Sequence, residues 1–196
     1  MIPAPRRVVL GVTGASGTLY ATRLLHHLRA AGTEVHLVLS RTAVLVAAHE
    51  DCEFPKSLPA GSDGLPGAVV RHAPEDLFAP PSSGSFRHRG MVIIPCSAGT
   101  VGRVAAGTCD TLLTRAADVC LKERRPLIVV LREAPLNRIH LRNLLTLEEA
   151  GALILPASPS FYTRPATIEE VIDTVLGRVL DHLDIEMDVT PRWRDG

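Results

Sequence analysis

V-V-L-G-V-T-G-A-S-G, residues 8 to 17, passes within ten positions from a buried strand to a turn that only small residues can make. Val8–Val12 is a run of five apolar or small residues, Gly11 among them, which predicts a buried strand. Gly11, Gly14 and Gly17 at a strand-to-helix turn allow a ligand to approach the backbone closely, and the helix that follows presents N–H groups to an anion. The spacing G-x-x-G-x-x-G is neither the dinucleotide G-x-G-x-x-G nor a P-loop, since no lysine follows the last glycine. It points to a phosphate-bearing cofactor; a glycine turn needed only for packing would read the same way.

Outward from this stretch the strand–helix rhythm continues. Ser16–Ala31 is predicted helical, with Leu24, Leu25 and Leu28 on one stripe and Gly32 just beyond its end. Val35–Leu39 is a second strand and Arg41–His49 a second helix, an alternation that favours a parallel sheet with right-handed crossovers. Pro55–Gly67 and A-P-P-S-S-G-S, residues 79–85, read as loops, the latter by composition a flexible connector. Further strands are predicted at Met91–Ile94, Leu127–Leu131 and Ala152–Leu155. Helices are expected over Val101–Lys122, interrupted near Gly107, over Ile139–Ala150, and over Ile168–Leu183, where Val171, Val175, Val179 and Leu183 recur at four-residue spacing. The expectation is one domain, residues 1–196, with an open α/β sheet sandwiched between helices.

Composition narrows the function. The chain has 196 residues, 46% of them hydrophobic, enough for one full core. Lys plus Arg, 21, equals Asp plus Glu, 21, so no global field steers the chain to nucleic acid or acidic membranes. The apolar start is too short for a membrane span, and glycines interrupt it where a signal core would continue. Cys52, Cys96, Cys109 and Cys120 lack C-x-x-C spacing and fit reduced thiols of a cytoplasmic protein. The scattered histidines suggest no metal site.

The other chemistry-bearing residues gather at predicted strand ends, where open α/β sheets bind ligands. Ser40 follows the second strand, as a ligand contact or as a helix N-cap. P-C-S-A-G-T, residues 95–100, brings Ser97, Ala98, Gly99 and Thr100 to the end of another. Arg132 and Glu133 directly follow the apolar run 127–131: arginine there can grip phosphate and the carboxylate can carry a proton, or the two form a surface ion pair. Lys122, Arg124 and Arg125 read as helix-end charges, Arg178 as a surface residue, and Trp193 as a cap on the core or a subunit contact. Tyr162, in P-A-S-P-S-F-Y-T-R-P (residues 156–165), either anchors a ligand oxygen or packs.

Five blocks in order, G-V-T-G-A-S-G, A-P-P-S-S-G-S, P-C-S-A-G-T, R-A-A-D-V-C-L-K-E-R-R-P-L-I-V-V-L-R-E-A-P and L-P-A-S-P-S-F-Y, resemble the UbiX-type flavin prenyltransferases, within the FMN-binding Cys-decarboxylase superfamily, from about Val8 to Trp193. The resemblance implies a three-layer Rossmann/flavodoxin-like fold, bound FMN, and a homo-oligomer that is a dodecamer built from trimers. It implies transfer of a dimethylallyl group from dimethylallyl phosphate to N5 and C6 of reduced FMN, the product passing to a prenyl-FMN-dependent decarboxylase. By the same resemblance Gly14, Ala15, Ser16, Ser40, Ser97, Ala98, Gly99, Thr100 and Arg132 contact FMN. Lys122, Arg132, Tyr162 and Arg178 hold the donor phosphate in place of a metal. Glu133 and Ser16 move protons, Glu50 matches a second active-site glutamate, and Arg115 lies in the same specific block. Leu77 departs from the pattern, standing where some members carry tryptophan beside the prenyl group. Two other readings compete: an FMN carrier without turnover, and a flavin-dependent cysteine decarboxylase, whose P-A-S-A-N motif has no counterpart in P-C-S-A-G-T.

Overall fold

The computed structural model describes residues 6–191. Six parallel strands lie in the order β3-β2-β1-β4-β5-β6, the doubly wound order in which the chain reverses direction between β1 and β4. The strands are β1 (Arg7–Val12), β2 (Glu34–Leu39), β3 (Val69–His72), β4 (Met91–Cys96), β5 (Leu127–Leu131) and β6 (Leu153–Pro156). The helices are α1 (Thr18–Ala30), α2 (Arg41–His49), α3 (Ala98–Ala105), α4 (Leu112–Lys122), α5 (Arg138–Glu149) and α6 (Ile168–His182).

Alternation along the central strands sorts their side chains into two cores. Val8, Leu10 and Val12, with Ile128 and Val130, pack under α1 and α6. Val9, Val129 and Leu131 face α3, α4 and Leu147 of α5. Such strands, covered on both faces, read as continuous apolar runs because neither face meets water. Gly32 ends α1 as the sequence predicts: its φ is +72°, and the N–H groups of Gly32 and Thr33 close back on Arg29 and Leu28. On α6 the buried stripe is wider than a four-residue repeat, running Ile172, Val175, Leu176, Val179, Leu180 and Leu183, while Val171 is only half-buried at its edge.

Several expectations need correction. The strand β3 was not predicted; V-V-R-H is short and half polar because it lies at the sheet edge, pairing only with β2 along its length. Helix α1 begins at Thr18 rather than Ser16, because Gly17 at φ +99° stops the helical path. Strand β4 continues through Pro95 to Cys96, and Ala152 precedes β6. The predicted break near Gly107 is a separation into α3 and α4.

Residues 79–85 are strapped down rather than forming a flexible connector. Arg115 donates from Nε to the Ser82 carbonyl at 3.1 Å, and Arg125 donates to the carbonyls of Gly84 and Phe86. A Cβ on Gly84 would sit 2.4 Å from a Glu123 carboxylate oxygen, so the loop lies close against the side chains that end α4. Arg115 also pairs with Asp118 at 2.8 Å, so the observed partners of this arginine are structural. All four cysteines are free thiols, and burial pushes that of Cys120 up to about 12. Among the described residues no helix is long and apolar enough to cross a membrane. Trp193 lies outside the described residues.

Candidate functional site

At the carboxyl edge, the crevice between β1 and β4 is welded by one side chain. The Thr13 hydroxyl donates to the Pro95 carbonyl at 2.7 Å and accepts from the Ser97 N–H at 2.9 Å. The two small-residue loops that the sequence shows separately, 13–17 and 95–100, therefore form one wall. Thr13, 1% exposed, is a positioning residue that sequence reasoning missed; a threonine in a glycine turn gives no signal until its partner strand is known. Gly14 has no room for a side chain, since a Cβ would meet Thr42 Cγ2 at 2.4 Å.

Three helix N-termini meet this edge and are used differently. Ser40 caps α2, accepting from Ala43 N–H at 3.1 Å, and Ser97 caps α3, accepting from Thr100 N–H at 3.3 Å. Both hydroxyls thus act as N-caps, with their own protons left to donate; that of Ser97 also lies 3.1 Å from Thr100 Oγ1. The N-terminus of α1 is not open to an external anion, contrary to the sequence expectation. Glu50 fills it: its carboxylate accepts from Gly17 N–H at 2.8 Å, Thr18 N–H at 2.7 Å and the Thr18 hydroxyl at 2.7 Å. Burial works against that charge, but the hydroxyls of Thr18 and Ser16 and these N–H groups outweigh it and hold the carboxyl at about 2.

This carboxylate has a pH signature. Its folded pKa lies below the ordinary 4.5, so the stabilisation is fully present above about pH 4.5 and is lost as pH falls toward 2. Glu50→Gln is expected to cost about 1 kcal/mol at neutral pH, a charge-assisted bond discounted for partial exposure. It should also flatten the acid limb of stability. Urea midpoints measured from pH 6 to pH 3 check this; parallel wild-type and variant curves would contradict it.

Arg132 and Glu133 arrive at the same edge because β5 pairs with β4: Arg132 N–H donates to the Cys96 carbonyl at 2.9 Å. Both side chains are exposed, as are Ser16, Gly99 and Tyr162, so the crevice is an open shelf rather than a closed cavity. Tyr162 stands on the segment after β6, which Ser160 N–H anchors to the Thr174 hydroxyl of α6 at 3.0 Å.

Lys122 and Arg178 are not brought to this shelf within one chain. Lys122 ends α4 just before β5 begins; the five residues of β5 put roughly 16 Å between its two ends. Lys122 there contacts Glu123 and borders Gly84. Arg178 lies about 15 Å along α6 from Ile168, one turn from the His182 end, and that end lines a cleft with Pro126 at the start of β5. Both cations thus occupy the amino edge and are solvent-exposed.

The shelf fits FMN. Among the described residues no hydrogen bond claims the N–H groups of Ala98 and Gly99 at the start of α3, and a Cβ on Gly99 would meet nothing within 4 Å. Open backbone donors beside small residues are what a flat, phosphate-bearing ring system needs.

The Flavoprotein family model matches residues 3–185. The chain is 46% identical over 197 aligned residues to flavin prenyltransferase UbiX of Pseudomonas aeruginosa, covering 96% of this chain and 94% of that protein.

The chain belongs to the UbiX-type flavin prenyltransferases of the Flavoprotein family.

Solved structures of UbiX-type proteins share its fold closely. AnUbiX (PadA1) in complex with FMN and dimethylallyl pyrophosphate superposes with a TM-score of 0.88 at 42% identity, covering 98% of this chain and 99% of that one. A dodecameric FMN-dependent Ubix-like decarboxylase from Escherichia coli O157:H7 gives 0.84 at 39% identity, covering 96% and 99%. Within one chain the welded β1/β4 crevice lies at the carboxyl edge of the sheet, and Lys122 and Arg178 stand apart from it.

Proposed function

We propose that this single flavoprotein domain joins a dimethylallyl group to N5 and C6 of reduced FMN, taking it from dimethylallyl phosphate. The observation that supports this reading is the row of contacts along one strand edge: Glu50 with Ser16 and Gly17, Thr13 with Ser97, and Arg132, beside Glu133, with Cys96.

Reduced FMN, when bound, supplies two nucleophilic positions to which the allyl group becomes joined. Gly14, Ala15, Ser16, Ser40, Ser97, Ala98, Gly99, Thr100 and Arg132 would hold it. The allylic C–O bond breaks with its electron pair leaving on the phosphate, so the site must stabilise departing charge. Arg132 and Tyr162 meet that charge from the shelf. Lys122 and Arg178, at the opposite edge of their own chain, reach it from neighbouring copies in a homo-oligomer, for which a dodecamer is the expected form. Glu133 and the Ser16–Glu50 pair would take the protons that N5 and C6 release and return one to the middle carbon of the allyl group, whose double bond is consumed as the bond to C6 forms. Leu77, 44% exposed, offers no aromatic face, but the adjoining Phe78 is fully exposed and supplies one at the next position. We place the enzyme in the cytoplasm, its product passing to a decarboxylase that uses prenylated FMN.

Anaerobic incubation of the protein with reduced FMN and dimethylallyl phosphate should release phosphate and yield a flavin heavier by the five-carbon unit on mass spectrometry. Unmodified flavin with intact donor would leave the carrier reading instead. Arg178→Ala should weaken the donor about 10- to 100-fold while FMN affinity stays unchanged; equal losses for both ligands, by titration, would remove its phosphate role.

A further inference from the structure

Strand β2 carries an imidazole into the interior. Val35, Leu37 and Leu39 point into the core under α1, so His36, 4% exposed, points to the opposite face of the sheet. Phe86 covers it there, the two rings meeting edge-on with 4.7 Å between centroids. Phe86 belongs to segment 73–90, which joins β3 to β4. His88 of the same segment is buried, its ring 5.9 Å from that of Phe86. His72, at the end of β3, completes the cluster with Nε2 2.9 Å from His36 Nδ1. Three histidines thus lie where a covering segment would ordinarily meet apolar side chains.

The hydrogen bonds fix their protons. The ionised Glu34 carboxylate only accepts, so His36 Nε2, 2.9 Å from it, carries the hydrogen. Nδ1 of a neutral His36 is then bare and accepts from His72 Nε2. His88 donates from Nδ1 to the Gly90 carbonyl at 3.1 Å. The arrangement is therefore complete with all three rings neutral. A proton added to His36 Nδ1 would turn it against the N–H of His72, and one added to His88 Nε2 would charge a buried ring near Arg125. Of the charges facing the cluster, Glu34 and Asp76 favour protonation, of His36 and His72 respectively. Arg7, paired with Glu34 at 2.7 Å and 5.6 Å from the Phe86 ring centre, opposes it, as does Arg125. Burial is the largest influence on each ring and holds all three below the ordinary 6.5, His88 at about 4.

We infer that segment 73–90 is an acid-released strap: protonation of the histidines beneath it lifts the segment from the sheet while the central strands stay folded. Its other fastenings are hydrogen bonds from Leu112 N–H, Arg115 and Arg125 to carbonyls, which acidity in this range does not change. Within 73–87 only Ala79 and Pro81 are buried, so release exposes little apolar area and leaves the core intact. The histidine contribution is complete above about pH 6.5 and is lost as pH falls toward the folded values. Glu50 acts only below about pH 4.5, which leaves the interval between to the histidines. Because the strap holds Gly84 beside Lys122, its release would reach the donor side of the reaction proposed above. The test reads the strap itself, apart from any turnover.

Hydrogen–deuterium exchange of the FMN-loaded full chain, corrected for intrinsic rates, should show protection across 79–89 falling at least about tenfold from pH 7.5 to pH 5.0, as expected when opening takes up one proton. Val129 and Val130 of β5 should keep theirs. His36→Gln retains a donor for Glu34 and an acceptor for His72, and His88→Asn retains the donor to Gly90, but neither new side chain titrates. Each should reduce the fall, and the two together should bring it within about threefold. Unchanged strap protection in the wild type, an equal loss in β5, or a fall in both single variants as large as in the wild type would overturn the inference.

Discussion

Glu133→Gln is expected to bind FMN as tightly as the wild type and to turn over about 10²- to 10⁴-fold more slowly, the usual contribution of a positioned proton-transfer group. Glutamine keeps the size and the hydrogen-bonding reach of the side chain but cannot accept a proton. Glu133 is exposed on the shelf, and its one observed acceptor contact is from Ala134 N–H at 3.3 Å. Its substitution therefore removes little folding energy, so a loss of turnover would report chemistry rather than damage. Single-turnover rates with reduced FMN and dimethylallyl phosphate measure this directly. A rate within threefold of wild type, roughly 0.65 kcal/mol in barrier, would move the proton-transfer role to the Ser16–Glu50 pair.

Asp173→Ala should cost about 3 kcal/mol of stability and lower the melting temperature by roughly 6–12 °C. Asp173 is 4% exposed on α6 and accepts from Arg23 Nε at 2.5 Å, with His27 Nε2 at 3.0 Å, both on α1. Burial alone would raise its pKa, yet the bonds to Arg23 and His27 lower it, so the pair is an asset while the carboxylate stays charged. Alanine strands the two partners against the α1–α6 contact. The cost falls at the lower end for broken buried pairs because the Arg23 side chain, 27% exposed, can still reach water. Asp173→Asn should lose less, since it keeps one acceptor for Arg23. Thermal melts of the three proteins decide the order; an alanine variant within 1 °C of wild type would mean that the triad contributes nothing. Because α6 also carries Arg178, the alanine variant should weaken donor binding more than FMN binding.

The elements that could be read from the chain were those whose local chemistry and tertiary fate agree. Val8–Val12 and Leu127–Leu131 are apolar throughout because both their faces are covered, and Gly32 marks a helix end because its backbone demands positive φ. The edge strand β3 escaped notice because a strand with one neighbour needs no apolar run. The loop at 79–85 looked flexible because its fasteners, Arg115 and Arg125, lie thirty or more residues away and act through carbonyls rather than through a complementary charge.

The candidate site divides in the same way. Sequence alone determined the parallel α/β class, the glycine turn after the first strand, and the placing of Ser97–Thr100 and Arg132–Glu133 at strand ends, since each follows from hydrophobic runs and from where they stop. Only the tertiary structure decided that Thr13 welds two loops, that Glu50 rather than a ligand occupies the start of α1, and that Lys122 and Arg178 stand at the far edge of their own sheet. Those facts depend on which strands become neighbours and in which direction each helix returns. A hydrogen bond of 2.7 Å between Thr13 and Pro95 is a property of that arrangement, and no local pattern spans the 82 residues between them.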